Sequence, residues 1–178
     1  SQRYGAELQE EIPEVDAFFG KFDWKGVLER MGEHFDERIR NQRVLTTPDH
    51  YAYLKISEGC NRTCSYCAIP IMTGKHKSRD FEELLEECRA LVKGGVKEIL
   101  VVAQDLTYYG IDLYGKNRLA ELIGRIADIE GLEWIKLHYA YPAGFPLELL
   151  TVMRERPNVC KYLDIALQHC SDHMLQQM

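Results

Sequence analysis

The sequence predicts an α/β chain in which parallel strands alternate with helices and open out as a partial, TIM-like (β/α) barrel. Three observations carry this. Strand-like and helix-like segments alternate four times between residues 51 and 167, and short strand–helix repeats build parallel sheets with right-handed crossovers. One strand candidate holds the near-continuous apolar run Ile99-Leu100-Val101-Val102-Ala103, the pattern of a strand buried on both faces. Polar and aromatic residues collect just past each strand candidate, at the rim where parallel βα folds gather their active sites.

Taken in order, Tyr4, Leu8 and Ile12 fall at helical spacing and Pro13 stops them. Val15 to Phe19 is a brief strand candidate ended by Gly20, and Phe22 to Met31 is again helix-like. Residues 33–50 are charge-rich and end in the turn-forming Thr46-Thr47-Pro48-Asp49. These first residues cannot bury much of a core alone. The regular part follows, with strand candidates at residues 51–57, 97–103, 134–139 and 162–167. Helices are predicted over residues 80–93, 118–129 and 147–155. In the first, Phe81, Leu84, Leu85, Cys88, Leu91 and Val92 form the apolar stripe and Gly94-Gly95 the stop. In the second, Leu119, Leu122, Ile123 and Ile126 repeat the pattern before Gly131. Four βα units are fewer than the eight that close a TIM barrel. The chain starts at Ser1 without a methionine and stops at Met178 inside a helical pattern, so it reads as a piece of a larger protein.

At 178 residues, 46% hydrophobic and 28% charged, the composition is that of an ordinary globular chain with one substantial core. No apolar run reaches the roughly 18 residues of a membrane span, and no membrane role is expected. Basic residues number 22 against 28 acidic, a net charge of −6, which argues against direct nucleic-acid binding through a broad basic face. Local basic clusters stand at Arg38, Arg40 and Arg43 and at Lys75, His76, Lys77 and Arg79; such runs are ordinarily solvated faces, with contact to a substrate or to nucleic acid as the sharper alternative. Six cysteines without an even framework of spacings, and no signal peptide, fit a reducing, cytoplasmic setting better than disulfides.

The chemistry centres on Cys60, Cys64 and Cys67, a C-x3-C-x2-C run directly after the first strand candidate. Three thiolates on so short a loop can hold three irons of a cubane cluster and leave the fourth iron open to a substrate or cosubstrate. Zinc is the competing reading. Structural zinc usually takes four ligands, and His50, His76 and Cys88 are the nearest candidates, with His76 the best placed to complete a Cys3His site. Past the second strand candidate stand Gln104, Asp105, Thr107, Tyr108 and Tyr109. Past the third stand His138, Tyr139 and Tyr141, and past the fourth Gln168, His169 and Cys170. Cys88 and Cys160 read as packing residues.

With Tyr66 as the aromatic, the cysteine run resembles the C-x3-C-x-aromatic-C hallmark of radical S-adenosylmethionine enzymes. The segments Thr46-Thr47-Pro48, Tyr53-Leu54-Lys55-Ile56-Ser57-Glu58-Gly59-Cys60, Ala68-Ile69-Pro70 and Gly74-Lys75-His76-Lys77-Ser78-Arg79 are similar to the methylthiotransferases of that group. Gln104-Asp105-Leu106-Thr107-Tyr108-Tyr109-Gly110, Leu137-His138-Tyr139-Ala140-Tyr141-Pro142 and Tyr162-Leu163-Asp164-Ile165-Ala166-Leu167-Gln168-His169 look like the RimO type, which modifies an aspartate of a small-subunit ribosomal protein. The tRNA-adenosine-modifying sister type more often carries Asn at the place of Asp105.

The resemblance runs through nearly the whole chain. It implies that residues 1–45 are the tail and linker of an N-terminal α/β domain, and that residues 46–178 are a radical S-adenosylmethionine domain, incomplete at its C-terminal side. It implies a 4Fe-4S cluster on Cys60, Cys64 and Cys67, with S-adenosylmethionine at the open iron as the source of a 5′-deoxyadenosyl radical. A second 4Fe-4S cluster would belong to the full-length protein, its ligands not in this chain. By position, Tyr66 would lie on the adenine side, Gln104 and Asp105 at the methionine amine, and Gln168 and His169 near the ribose. The implied partners are the ribosomal protein substrate and an electron donor such as flavodoxin. The tRNA-modifying type is the alternative enzyme, and a zinc-stabilised binding module the alternative that is no enzyme.

Overall fold

The computed structural model describes residues 4–20, 23–34, 36 and 43–178. In chain order its elements are α1 (Gly5–Glu11), α2 (Trp24–Arg30), β1 (Tyr51–Lys55), β2 (Ser57–Glu58), α3 (Ile69–Thr73), β3 (Lys77–Ser78), α4 (Phe81–Lys93) and β4 (Glu98–Val102). A 3-10 turn over Leu106–Tyr108 follows, then α5 (Ile111–Tyr114), α6 (Leu119–Ala127), β5 (Trp134–His138), α7 (Glu148–Glu155) and α8 (Asp172–Gln177).

β1, β4 and β5 form one parallel sheet in that order, with Ala52 opposite Ile99 and Ile99 opposite Ile135. The expected burial of β4 on both faces holds: Ile99, Leu100 and Val101 are buried in succession. On β1 burial alternates instead, with Ala52 and Leu54 inward. α4 begins where Asp80 caps it, its carboxylate accepting the Glu82 and Glu83 N–H groups at 2.9 and 3.1 Å. Its buried stripe includes Phe81, Leu84, Leu85, Cys88 and Leu91. α6 buries Leu119, Leu122, Ile123 and Ile126, and α7 adds Leu149 and Met153 to the same core. The three helices fall within one or two residues of their predicted spans.

The fourth strand candidate, residues 162–167, is not a strand. Residues 159–165 meet β5 and the chain just past it through isolated bridges, Ile135 with Val159 and Ala140 with Ile165. Five residues separate the first members of these bridges and six the second, so one extra residue interrupts the ladder as a bulge does. Tyr139 adds to the break: it adopts φ 68°, a left-handed conformation uncommon outside glycine. The brief strand expected over residues 15–19 is irregular chain as well, and its residues make no ladder. The segment 51–57 divides in two, because the chain turns after Ile56 and Ser57–Glu58 pair antiparallel with Lys77–Ser78.

Of the basic clusters, Arg38 and Arg40 lie outside the described residues, as does Phe22. Arg43 pairs with the nearly buried Glu87 at 3.3 Å. The second cluster is not one solvated face. Lys75 and Lys77 are exposed, but His76 is buried and Arg79 turns inward, its Nη2 2.7 Å from both Glu83 and Glu87. Among the described residues no helix is long and apolar enough to cross a membrane.

Candidate active site

The cysteine loop leaves β2 and returns through β3, so the short antiparallel pair Ser57–Ser78 and Glu58–Lys77 closes its base. Gly59 makes the turn at φ 77°, and a Cβ there would lie 2.2 Å from the Lys75 carbonyl oxygen. Only glycine allows the two limbs of the loop to approach so closely. The Cys60 N–H donates to the Gly74 carbonyl at 3.2 Å, and the His76 N–H to Asn61 Oδ1 at 3.0 Å. Inside the loop the Cys67 N–H donates to the Cys64 carbonyl at 3.1 Å, and α3 starts directly afterwards with Pro70 in its first turn.

Cys60, Cys64 and Cys67 are free thiols that line one cleft of about 460 Å³. Cys60 is the deepest; burial raises its pKa, and the Arg62 N–H, 3.4 Å from its sulfur, pulls the other way. The Cys64 sulfur lies 3.9 Å from the Tyr141 hydroxyl. Cys88 is fully buried on α4, and burial pushes its thiol up to about 12, which keeps it protonated and inert.

The opposite wall comes from the strand ends. Gln104, past β4, lines the cleft; its Nε2 donates to Glu58 Oε1 at 2.9 Å, and its Oε1 is buried without a partner. Asp105 also lines the cleft but is only 2% exposed, and its carboxylate is engaged. Oδ1 accepts the Thr107 N–H at 2.9 Å and the Thr107 hydroxyl at 2.5 Å, and Oδ2 accepts the Arg62 Nε–H at 2.8 Å. The expected ammonium partner would have to share that carboxylate with Arg62. Tyr66 and Gln168 meet at the mouth, the Tyr66 hydroxyl donating to Gln168 Oε1 at 2.6 Å. His169, placed near the ribose by the sequence reading, does not line the cleft. It is exposed, and its Nδ1 accepts the Ser171 N–H at 2.9 Å. His138 pairs with Asp164 at 3.3 Å instead of opening to the cleft.

Arg62 was not among the expected site residues. Its signal was a lone cation between two candidate ligands, facing an acid 43 residues away.

A Cys3His zinc site lacks support. His76 is buried, with Nε2 3.1 Å from the Ser78 hydroxyl and its ring 5.0 Å from that of Tyr108, and it does not line the cleft. Among the described residues no group of three or more His, Cys, Asp or Glu side chains, the three loop cysteines included, stands ready to hold a metal ion. Three free thiols lining one roomy cleft, which Gln104 with its unpartnered buried oxygen also lines, suit a larger inorganic cluster with a cosubstrate beside it.

Residues 54–178 match the model of the Radical SAM superfamily. Over all 178 residues the chain is 65% identical to the ribosomal protein uS12 methylthiotransferase RimO of Porphyromonas gingivalis. It is 66% identical to the protein of the same name from Bacteroides fragilis and 51% to that of Flavobacterium johnsoniae. The chain spans 41% of the length of each of these relatives. Among solved structures it is similar to TsrM, a radical S-adenosylmethionine methyltransferase from Kitasatospora setae, solved with cobalamin and a [4Fe-4S] cluster. The TM-score is 0.54 and the identity 16%, covering 70% of this chain and 24% of that one. A second TsrM structure, with tryptophan and a S-adenosylmethionine analogue, gives a TM-score of 0.56 at 16% identity over 75% of this chain and 27% of that one. At that identity the likeness speaks for the fold.

Proposed function

The chain belongs to the Radical SAM superfamily, and on that premise we propose that it is the radical domain of a methylthiotransferase acting on an aspartate of ribosomal protein uS12. The observation that carries this is the single cleft shared by Cys60, Cys64, Cys67 and the ends of β4 and β5, in a chain 65% identical to a uS12 methylthiotransferase. In this reading the three thiolates hold a 4Fe-4S cluster. Bound there and reduced, such a cluster supplies the electron that splits the sulfonium bond of S-adenosylmethionine, chemistry that no side chain provides.

This chain's own residues bind, orient and exclude water. Gln104 offers its unpartnered Oε1 to the methionine ammonium, while its Nε2, held by Glu58, fixes the amide. Tyr66 and Gln168 cover the adenosine side through their mutual hydrogen bond. Tyr139, whose side chain lines the cleft from its left-handed position, bounds the substrate side. In this reading the intact protein would carry a second 4Fe-4S cluster on ligands outside this chain, and would take its electron from an external donor such as flavodoxin.

The test is anaerobic reconstitution with iron and sulfide, followed by reduction with S-adenosylmethionine present. Wild-type protein is expected to hold about four irons per site and to release 5′-deoxyadenosine. Alanine at Cys60, Cys64 or Cys67 should abolish both, whereas alanine at Cys88, Cys160 or Cys170 should leave the iron in place. Mass spectrometry of uS12 incubated with the intact enzyme should find a methylthio group on one aspartate. Iron retained after all three loop cysteines are replaced would overturn the ligand reading, and thiolated tRNA in place of uS12 would overturn the substrate.

A further inference from the structure

Arg62 stands inside the cysteine loop, two residues past Cys60 and two before Cys64. Its side chain reaches three separate stretches of the rim. Nε donates to Asp105 Oδ2 at 2.8 Å, at the end of β4. Nη2 donates to Thr107 Oγ1 at 3.3 Å, in the 3-10 turn, and to the Ala143 carbonyl at 2.9 Å, beyond β5. The guanidinium carbon lies 4.1 Å from the centre of the Tyr141 ring. The backbone N–H of the same residue points at Cys60 Sγ.

Asp105 is as firmly fixed from the other side. It is 2% exposed, and both Thr107 donors hold Oδ1. A buried carboxylate left without its cation is strongly unfavourable, so the strand end and the loop depend on one another. A planar guanidinium suits the task because it can donate from two edges while its face stacks on an aromatic ring; an ammonium cannot do both.

We propose that Arg62 is a positioning residue that, through its pair with Asp105 and its stack on Tyr141, docks the three-cysteine loop onto the ends of β4 and β5 before any cluster is bound. Ser65, through Gln177 and Met178, and Tyr66, through Gln168, hold the far part of the loop to the end of the chain; without Arg62 the loop would lose its tie to the ends of β4 and β5, and the cost of setting the cysteines against those strand ends would fall on cluster assembly. With Arg62 in place, part of that cost is met in the folded chain. The inference rests on Cys60, Cys64 and Cys67 being the cluster ligands.

The experiment compares metal-free intact protein, under reducing conditions, as wild type, Arg62→Met, Arg62→Lys, Asp105→Asn and the Arg62→Met/Asp105→Asn double variant. Hydrogen exchange read by mass spectrometry over residues 60–67 should be about tenfold faster in Arg62→Met, the scale of losing a charge-assisted contact. β4 should exchange as in wild type. The double variant should exchange no faster than the faster single one, because both changes break the same tether. Arg62→Lys, which keeps the charge and the fold but not the fork, should fall between. After reconstitution to equal iron content, the electron paramagnetic resonance signal of the reduced cluster should broaden in Arg62→Met. Loop exchange equal to wild type in Arg62→Met, or in Arg62→Lys, overturns the proposal. Wild-type protein that takes up no iron would remove the ligand reading, while the exchange comparison in metal-free protein still decides whether Arg62 docks the loop.

Discussion

The Tyr66 hydroxyl donates to Gln168 Oε1 at 2.6 Å across 102 residues of sequence, joining the cysteine loop to the chain beyond the interrupted fourth strand. Gln168 takes φ 68° to reach it, a backbone conformation that a non-glycine residue adopts at a cost. The bond lies at the exposed mouth of the cleft, so Tyr66→Phe should lower stability by only about 0.5–1 kcal/mol and leave iron content unchanged. Its effect should show in faster hydrogen exchange around residue 168. Loss of iron in this variant would mean that Tyr66 supports the cluster loop itself.

Gly59→Ala should be far more damaging. The new methyl group would meet the Lys75 carbonyl oxygen at 2.2 Å, and φ is +77°. The left-handed conformation alone costs a non-glycine residue roughly 1–2 kcal/mol, and backbone on the far limb cannot swing aside as a side chain tip would. The loop base should open, with the cysteines displaced and iron binding lost at unchanged cysteine content. Denaturant melting and iron analysis check this together. Wild-type iron uptake in the alanine variant would show that the ligand loop does not need the close crossing.

His76 should make the fold acid-sensitive. The Ser78 hydroxyl donates to Asp112 Oδ1 at 2.6 Å, so its oxygen accepts from the Gly110 N–H at 2.9 Å and from His76 Nε2–H at 3.1 Å. Nδ1 is then a bare buried acceptor. Burial, the largest cause, lowers the pKa of His76 below its ordinary 6.5, with Asp112 and Asp105 opposing. Below pH 6.5 the unfolded chain therefore binds a proton that the folded one does not. Stability is present above that pH and is lost as the pH falls toward the folded pKa. Urea midpoints at about pH 7.5 and 5.5 should differ, and His76→Gln should flatten the difference. An equally steep loss in the glutamine variant would place the sensitivity elsewhere.

What could be read from the sequence was what short-range chemistry specifies. The cysteine loop announces itself because the three thiols proposed as ligands fall within eight residues, from Cys60 to Cys67. α4, α6 and α7 announce themselves because one buried stripe at helical spacing suffices to define each. The fourth strand was misread because residues 162–167 carry strand composition, while pairing depends on register, and one extra residue between Val159 and Ile165 breaks it. Asp105 was expected to face a ligand because it ends β4; its partner Arg62 is set by a contact that no local pattern encodes. His169 was grouped with Gln168, yet adjacent side chains need not face the same way, and only Gln168 lines the cleft.

Gln104 is where the structure sharpens a sequence expectation into a specific atom. Its Nε2 is held by Glu58 Oε1 at 2.9 Å, which orients the amide and leaves Oε1 as the buried end without a partner. Buried carbonyl oxygens in folded proteins are nearly always paired, and the residue that carries this one lines the same cleft as the three cysteines. An ammonium group is the donor that would satisfy it best, since a hydrogen bond from a charged donor contributes more than a neutral one. Gln104→Met keeps the length of the side chain and removes the acceptor. S-adenosylmethionine affinity should fall by roughly 10- to 100-fold, about 1.5–3 kcal/mol, with iron content as the control. Glu58, losing its Gln104 donor, still has Lys55 as a partner, so the fold should survive the change. Equilibrium binding to the reconstituted variant decides the matter: an affinity equal to wild type would mean that the buried oxygen serves some group other than the cosubstrate.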